Sequence, residues 1–546
     1  MKVIWLFLIV IFLVVSFNLN AQLLQQKEFT HDDTLRGSIT PERAWWDVLF
    51  YGITVKPDYN TKTIEGNIII NFRTLASGNT MQIDLQMPMQ IGDVLWNHQK
   101  LTFKRDGNVY LVSFPSKLKK GSAESIGINF SGQPREAISP PWDGGWIWKK
   151  DQKGNPWMSV ACQGLGASVW YPCKDHQSDE PDSASLTMIV PGDLVAVGNG
   201  RLQSKTTNSD GTVAYKWKVV NPINNYNIIP YIGKYVNWTS TFNGEKGALD
   251  CSYWVLDYNL DTAKEQFKQV PLMLKCFEHW FGPYPFYEDS YKLVEAPHLG
   301  MEHQSAVAYG NKFRDGYLGN DLSGTGWGLL WDFIIVHESG HEWFGNNITS
   351  KDLGDMWIHE SFTNYSETLF TTCQYGKDAG NDYVIGTRKN ILNKSPIIAP
   401  YGVNKEGSGD MYYKGGNMIH NIRTIIDDDE LFRNILRGLN KTFYHQTVTA
   451  KQVEDYISKQ SGKDLSKVFE QYLLHTEIPV LEYKMGRNNI SYRWTKCVKG
   501  FNMPVKIHLK NDQWISPTEQ WQSMNTTTAD ELTVDPNFYI QTKKTE

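Results

Sequence analysis

Two histidines four residues apart, with a glutamate directly after the first, stand at His337-Glu338-Ser339-Gly340-His341. On a helix that spacing puts both imidazoles on one face, where they can reach a single ion. Glu338 is then beside any water the ion holds and can take its proton. The chemistry this predicts is hydrolysis assisted by one Zn2+ per chain. A catalytic zinc also needs a third protein ligand and an open fourth position. Glu360 and His359, in Trp357-Ile358-His359-Glu360-Ser361-Phe362, are the two candidates.

Positioning these groups takes two helices. The apolar run Leu329–Val336 predicts a buried first helix within 329–345, although Gly340 is a poor helix former. Ile358, Phe362, Tyr365 and Leu369 recur at helical spacing and predict a second over 356–371. The turn-rich segment from Asn346 to Gly354 lets the second fold back on the first. Upstream, Phe267, Val270, Leu274, Phe277 and Phe281 mark another helix, which Pro271 must bend or restart. Downstream, helical patterns cover 414–427, 450–460 and 465–475, the last two with Thr449 and Asp464 as N-caps.

Either side of this block the period is two. Ile64, Ile68, Ile70 and Phe72, and later Tyr215, Trp217 and Val219, alternate with polar residues between turns such as Asp106-Gly107 and Asp210-Gly211. Alternation returns after Pro479 in Val480, Ile490, Tyr492 and Trp494, then Val505, Ile507 and Leu509. The fold class is α+β and multidomain. An N-terminal antiparallel β-domain is predicted over 22–245, a mainly helical zinc domain over 246–478, and a short C-terminal β-module over 479–546.

Lys2 precedes the apolar run Val3 to Val15, and Leu19-Asn20-Ala21 offers a cleavage site, so residues 1–21 read as a signal peptide. The run is shorter than the roughly 18 to 20 residues that span a bilayer. The expectation is a secreted or periplasmic protein with no stable membrane insertion after cleavage. With 54 Lys plus Arg against 59 Asp plus Glu, the charge balance excludes an electrostatic nucleic-acid partner. The six cysteines show no CxxC spacing, which excludes a Cys-ligated zinc; Cys162 with Cys173 is the disulfide to expect first. Nothing in the sequence bears on oligomeric state.

The stretch His337-Glu-Ser-Gly-His341-Glu-Trp-Phe-Gly-Asn346, with Glu360 following, resembles the zinc aminopeptidase family of aminopeptidase N and leukotriene hydrolase, in the gluzincin clan. Four further segments resemble it in the family's order. They are Cys162-Gln163-Gly164 with Trp170-Tyr171-Pro172-Cys173, Phe281-Gly282-Pro283-Tyr284-Pro285, Gly300-Met301-Glu302-His303 and Tyr412-Tyr413-Lys414-Gly415. The likeness runs from about residue 45 to 480. Two departures stand in the third of these, where the family's G-x-M-E-N has Leu299 for its first Gly and His303 for its Asn. The large C-terminal helical domain of many relatives is replaced by the short β-module.

The resemblance implies a thermolysin-like zinc domain and removal of N-terminal residues from peptides with a free N-terminus. It selects Glu360 over His359, making the zinc ligands His337, His341 and Glu360, with Glu338 the general base and Tyr412 the oxyanion donor. Glu302 would bind the substrate ammonium with Gln163 assisting through its side-chain carbonyl, and Gly300, Met301 and His303 would complete the substrate site. A protonated His303 would repel that ammonium in acid. Asp355 is a candidate to orient a ligating histidine. Two other functions compete: a zinc endopeptidase, which a bare H-E-x-x-H also suits, and a non-catalytic peptide-binding module that keeps the fold. Glu302 and Gln163 speak against the first, and the full catalytic set against the second.

Overall fold

The computed structural model describes residues 29–526 and 532–546, so the expected signal peptide lies outside the described residues. Among them, no helix is long and apolar enough to cross a membrane.

Period-two segments form the N-terminal sheets. In the strand Thr63–Thr74, Ile64, Ile68, Ile70 and Phe72 are buried while Glu65, Asn67 and Arg73 face water. It pairs antiparallel with Trp46–Asp58, Ile53 opposite Ile68, inside an eight-stranded sheet. One pairing there, Trp46–Asp58 with Ser183–Pro191, is parallel. A second, four-stranded sheet contains Pro156–Ala161 and Tyr231–Gly233. Gln163 follows the first of these strands, and the single-turn helix Asn225–Asn227, with Tyr226 at its centre, precedes the second.

A five-stranded sheet takes in the hairpin Tyr235–Gly244 and Gly247–Leu256, then Tyr291–Glu295, Val307–Tyr309 and the edge strand Gly300–Met301. It therefore joins residues on both sides of position 245. Glu302 emerges from its edge.

The helices follow. Pro271 is the third residue of Gln269–Phe281, where its missing N–H costs nothing, and it restarts the helix after Leu260–Gln266. The helix expected within 329–345 is shorter, Phe333–Gly340. Asp332 caps it by accepting from the Ile334 and Ile335 amides, which leaves Leu329 and Leu330 before the cap and about half exposed. Gly340 has a packing reason. A Cβ there would lie 2.6 Å from Ser366 Oγ, on the crossing helix Trp357–Tyr375. The helices Ala450–Ser461 and Ser466–Leu474 match expectation closely, and Asp410–Ile426 begins one turn before the expected 414, so that it includes Tyr412 and Tyr413. Thr449 makes a full capping box with Gln452, whereas the cap of Ser466–Leu474 falls on Leu465, one residue after Asp464. Lys377–Thr387 and the amphipathic Asp429–Thr442 were not legible in the helical patterns.

Among the described residues two apolar cores result. One runs without a break from the helices into the C-terminal β-module, where Leu481, Trp494, Val505 and Ile507 join Phe469 and Tyr472. The other fills the N-terminal β-domain and takes in Val294, Met301, Ala306 and Ala308 from the five-stranded sheet. The strand that delivers Glu302 thus sits where the two cores meet. Cys162 and Cys173, expected to pair, are buried free thiols. The disulfide is Cys276–Cys373, which ties Gln269–Phe281 to Trp357–Tyr375.

Candidate active site

The crossing of Phe333–Gly340 with Trp357–Tyr375 brings His337, His341 and Glu360 together, one ligand atom from each within 4.8 Å of the others. His337 Nε2 is 3.7 Å and His341 Nε2 3.4 Å from Glu360 Oε2. That oxygen is buried and has no hydrogen-bond partner.

Each imidazole is held at its other nitrogen. His337 Nδ1 donates to Glu367 Oε1 at 2.8 Å, and His341 Nδ1 donates to the Phe344 carbonyl at 3.0 Å. Both acceptors can only accept, so each Nδ1 carries a proton and each Nε2 can turn its lone pair toward Glu360. Burial would lower the pKa of both rings, yet the Glu360 and Glu367 contacts raise that of His337 well above the usual range, and Glu360 raises that of His341. The donor set therefore calls for positive charge at the point where it converges. Two imidazoles and one carboxylate, whose buried oxygen has no hydrogen-bond partner, fit a zinc ion.

His359, the rival ligand, points elsewhere, its Nε2 accepting from the Ser350 amide at 2.9 Å. Asp355 does not orient a ligating histidine. It accepts from Tyr401 and the Ala450 amide, and Glu367 takes the orienting part. The signal for Glu367 was present, since it follows Glu360 by seven residues, two turns along the same helix face.

A cavity of about 500 Å³ opens on this cluster, and Glu302, Glu338, Tyr412, Gln163, Gly300 and Met301 all line it. Glu338 is pushed up to about 7, chiefly by burial, with His337 and His341 opposing and Glu302 and Glu360 adding. Gly300 makes room for it, since a Cβ there would lie 2.7 Å from Glu338 Oε1. Tyr412 lies over His337, ring centroids 6.1 Å apart at 28°. Burial, then Glu360 and Glu406, raise its pKa well above the usual phenol value, which keeps its proton available for donation. Tyr413 also lines the cavity.

Glu302 is 2 % exposed, and one oxygen accepts from Gln163 Nε2 at 2.6 Å and from Tyr226 OH at 2.7 Å. With its amide turned to Glu302, Gln163 keeps its carbonyl oxygen for another donor. The Glu302 backbone carbonyl accepts from Asn346 Nδ2 at 2.8 Å, and the Asn346 carbonyl oxygen accepts from Asn227 Nδ2. Met301 both lines the cavity and packs in the N-terminal core.

His303 is the exception among the predicted substrate residues. It is fully buried behind Glu302 rather than on the cavity wall, and its Nδ1 faces Tyr231 OH at 2.5 Å. Burial, with His298 beside it, drives its pKa well below the usual imidazole value. It stays neutral where repulsion of an ammonium was expected. Tyr226 and Glu406 were missed, because each reaches the site through tertiary contacts that leave no local pattern.

Two histidines and a glutamate around a cavity, with a second glutamate beside them, form a donor set suited to a zinc ion and to metal-assisted hydrolysis. Residues 267–472 match the family model described as Peptidase family M1 domain. Leukotriene A-4 hydrolase of Xenopus laevis is 21% identical over 479 residues, covering 81% of this chain and 74% of the relative. Human aminopeptidase B is 24% identical over 376 residues, covering 65% of this chain and 53% of its own length. Among solved structures, an M1 zinc metallopeptidase from Deinococcus radiodurans aligns with a TM-score of 0.69 at 20% identity, over 81% of this chain and 97% of its own. A mutant two-domain M1 zinc metallopeptidase bound to L-tryptophan aligns equally well, at 19% identity. At such identities these structures establish the fold.

Proposed function

We infer that this chain is a zinc-dependent aminopeptidase, one Zn2+ per chain, acting on peptides with a free N-terminus. The observation that carries this reading is the buried Glu302 carboxylate, braced by Gln163 and Tyr226, in the same cavity as His337, His341 and Glu360. An anion fixed beside a hydrolytic centre recognises the ammonium of a peptide terminus, so cleavage falls next to that terminus.

His337, His341 and Glu360 would hold the zinc, which when bound supplies an acidified water and polarises the scissile carbonyl. Glu338, on the cavity wall beside the ligand set, would take the proton of the attacking water and return it to the leaving amine. Tyr412 OH donates to the oxygen that gains charge as the carbonyl is attacked. Glu302 and Gln163 hold the substrate ammonium, and Gly300 and Met301 form the wall beside it. The domain limits 22–245, 246–478 and 479–546 belong to the same reading. So does export to a secreted or periplasmic location, which rests on the Val3–Val15 run and Leu19-Asn20-Ala21.

The test is zinc content per chain with hydrolysis of a neutral aminoacyl amide by wild type and Glu338→Gln. The variant should keep its zinc and lose about 10² to 10⁴ in turnover. A zinc-loaded Glu338→Gln near the wild-type rate overturns the mechanism, and wild type inert on all unblocked substrates overturns the function.

A further inference from the structure

We propose that Arg36, on the short helix His31–Gly37 far upstream of every motif, is a positioning residue for the wall of the cavity that binds the substrate amine. The proposal rests on the aminopeptidase reading of that cavity.

The helix is seven residues long and none of them is buried. Alone, so short a helix does not persist in water. It carries a capping box between Thr30 and Asp33, and polar contacts hold it to the rest of the molecule. Arg43, fully buried and paired with Asp84 at 2.7 Å, donates to the carbonyls of Arg36 and Ser38 and locks its end. Gln82 Nε2 donates to the Leu35 carbonyl.

Arg36 reaches outward from this anchor. Its guanidinium pairs with Asp175 at 2.8 Å and donates to the Asp175 carbonyl at 2.5 Å and the Leu165 carbonyl at 3.0 Å. It fills the place a side chain at Gly166 would take, since a Cβ there would lie 1.7 Å from Nη2. The segment 162–166 is thereby pinned, and Gln163 within it donates to Glu302.

The other side of the helix meets a second segment. Gly37 abuts Val403 and Asn404, where a Cβ would come within 2.2 Å of the Asn404 nitrogen. Asn404 Nδ2 in turn donates to the Gly164 carbonyl at 3.1 Å. Two residues on, Glu406 lies against Gly164 and lines the cavity. The helix is thus wedged behind two segments distant in sequence whose ends, Gln163 and Glu406, face the substrate.

Arg36 does not line the cavity, so it acts through these segments. Removing its guanidinium leaves the Leu165 carbonyl with Gln86 Nε2 as its remaining side-chain donor and opens space beside Gly166. Gln163 then loses its fixed place against Glu302. That contact serves substrate and transition state alike, so its loss shows in KM rather than kcat. Neither helix bearing the zinc ligands is touched by Arg36, so zinc binding should hold.

The experiment uses the full chain with Arg36→Met, Arg36→Lys and Asn404→Ala. It reads zinc content, thermal stability, KM and kcat on an unblocked aminoacyl amide, and dipeptide affinity by calorimetry in a Glu338→Gln background. Arg36→Met should raise KM and the dipeptide Kd about tenfold with kcat within about twofold and full zinc. Arg36→Lys should recover part of the loss, and Asn404→Ala should move KM the same way by less. A zinc-loaded Arg36→Met with lower thermal stability but unchanged KM and dipeptide Kd overturns the proposal. Should Arg36→Met not fold, unchanged KM in both other variants overturns it equally. Wild type without activity on unblocked substrates would instead sink the aminopeptidase reading, while dipeptide affinity still decides the role of Arg36.

Discussion

Glu367 would orient His337, a proposed zinc ligand, without itself holding the ion. Its carboxylate is fully buried and accepts three hydrogen bonds, from His337 Nδ1 at 2.8 Å, Asn364 Nδ2 at 3.0 Å and Tyr383 OH at 2.6 Å. Glu367→Ala removes the acceptor that orients His337 and fixes its tautomer. Loss of such a partner lowers metal affinity about 10- to 100-fold, or roughly 1.4 to 2.8 kcal/mol. In the metal-free protein it also strands three buried donors, on His337, Tyr383 and Asn364, at about 1 to 3 kcal/mol each, a loss of roughly 3 to 9 kcal/mol. Glu367→Gln keeps an acceptor oxygen for His337 and Asn364, while the NH2 that replaces the other oxygen meets Tyr383 OH, whose oxygen can accept from it, so both losses should be smaller than in Glu367→Ala. Zinc affinity is measured by competition with a chromophoric chelator, and stability by urea unfolding of the metal-free form. The reasoning is refuted if Glu367→Ala binds zinc within about twofold of wild type, or if Gln is as damaging as Ala.

Acetylating the substrate amine removes the charge Glu302 is placed to meet; N-acetylated peptides should lose about 10² to 10³ in kcat/KM, and Glu302→Ala should narrow that gap. Equal kcat/KM for free and acetylated forms of one peptide would favour an endopeptidase. The Cys276–Cys373 disulfide closes a loop with a sequence separation of 97, so replacing both cysteines by alanine should cost about 4 to 5 kcal/mol in urea unfolding. An unchanged unfolding midpoint would mean that the bond does not form. Glu295 is buried and pushed up to about 7, chiefly by burial, against hydrogen bonds from the Leu256 amide and Asn259. Its folded pKa lies above the unfolded value, so the native state holds the proton more tightly. Its contribution is full below about pH 4.5 and fades as pH rises through 7, by about 3 kcal/mol. The stability difference between wild type and Glu295→Gln should therefore change between pH 5 and 8, and a constant difference would show that Glu295 does not titrate this way.

The sequence by itself marked many of the elements and the H-E-x-x-H segment, though not the helices Lys377–Thr387 and Asp429–Thr442. Period two and period 3.6 are printed locally, so Thr63–Thr74 and Trp357–Tyr375 could be read from side-chain spacing alone. His337, Glu338 and His341 lie within one helical segment, where spacing dictates geometry. Only tertiary structure decided what depends on distant segments meeting. Spacing alone left Glu360 and His359 open, and the resemblance favoured Glu360; the structure adds that His359 accepts from the Ser350 amide instead. The pairing of Cys276 with Cys373, in place of Cys162 with Cys173, rests on two helices packing side by side. His303 sits next to Glu302 in sequence, yet an edge strand sends Glu302 into the cavity and buries His303 against Tyr231. Tyr226, Glu406 and Arg36 come from three separate stretches of chain and carry no motif. Local spacing records which face a residue shares with its neighbours, and only the packed chain fixes what that face meets.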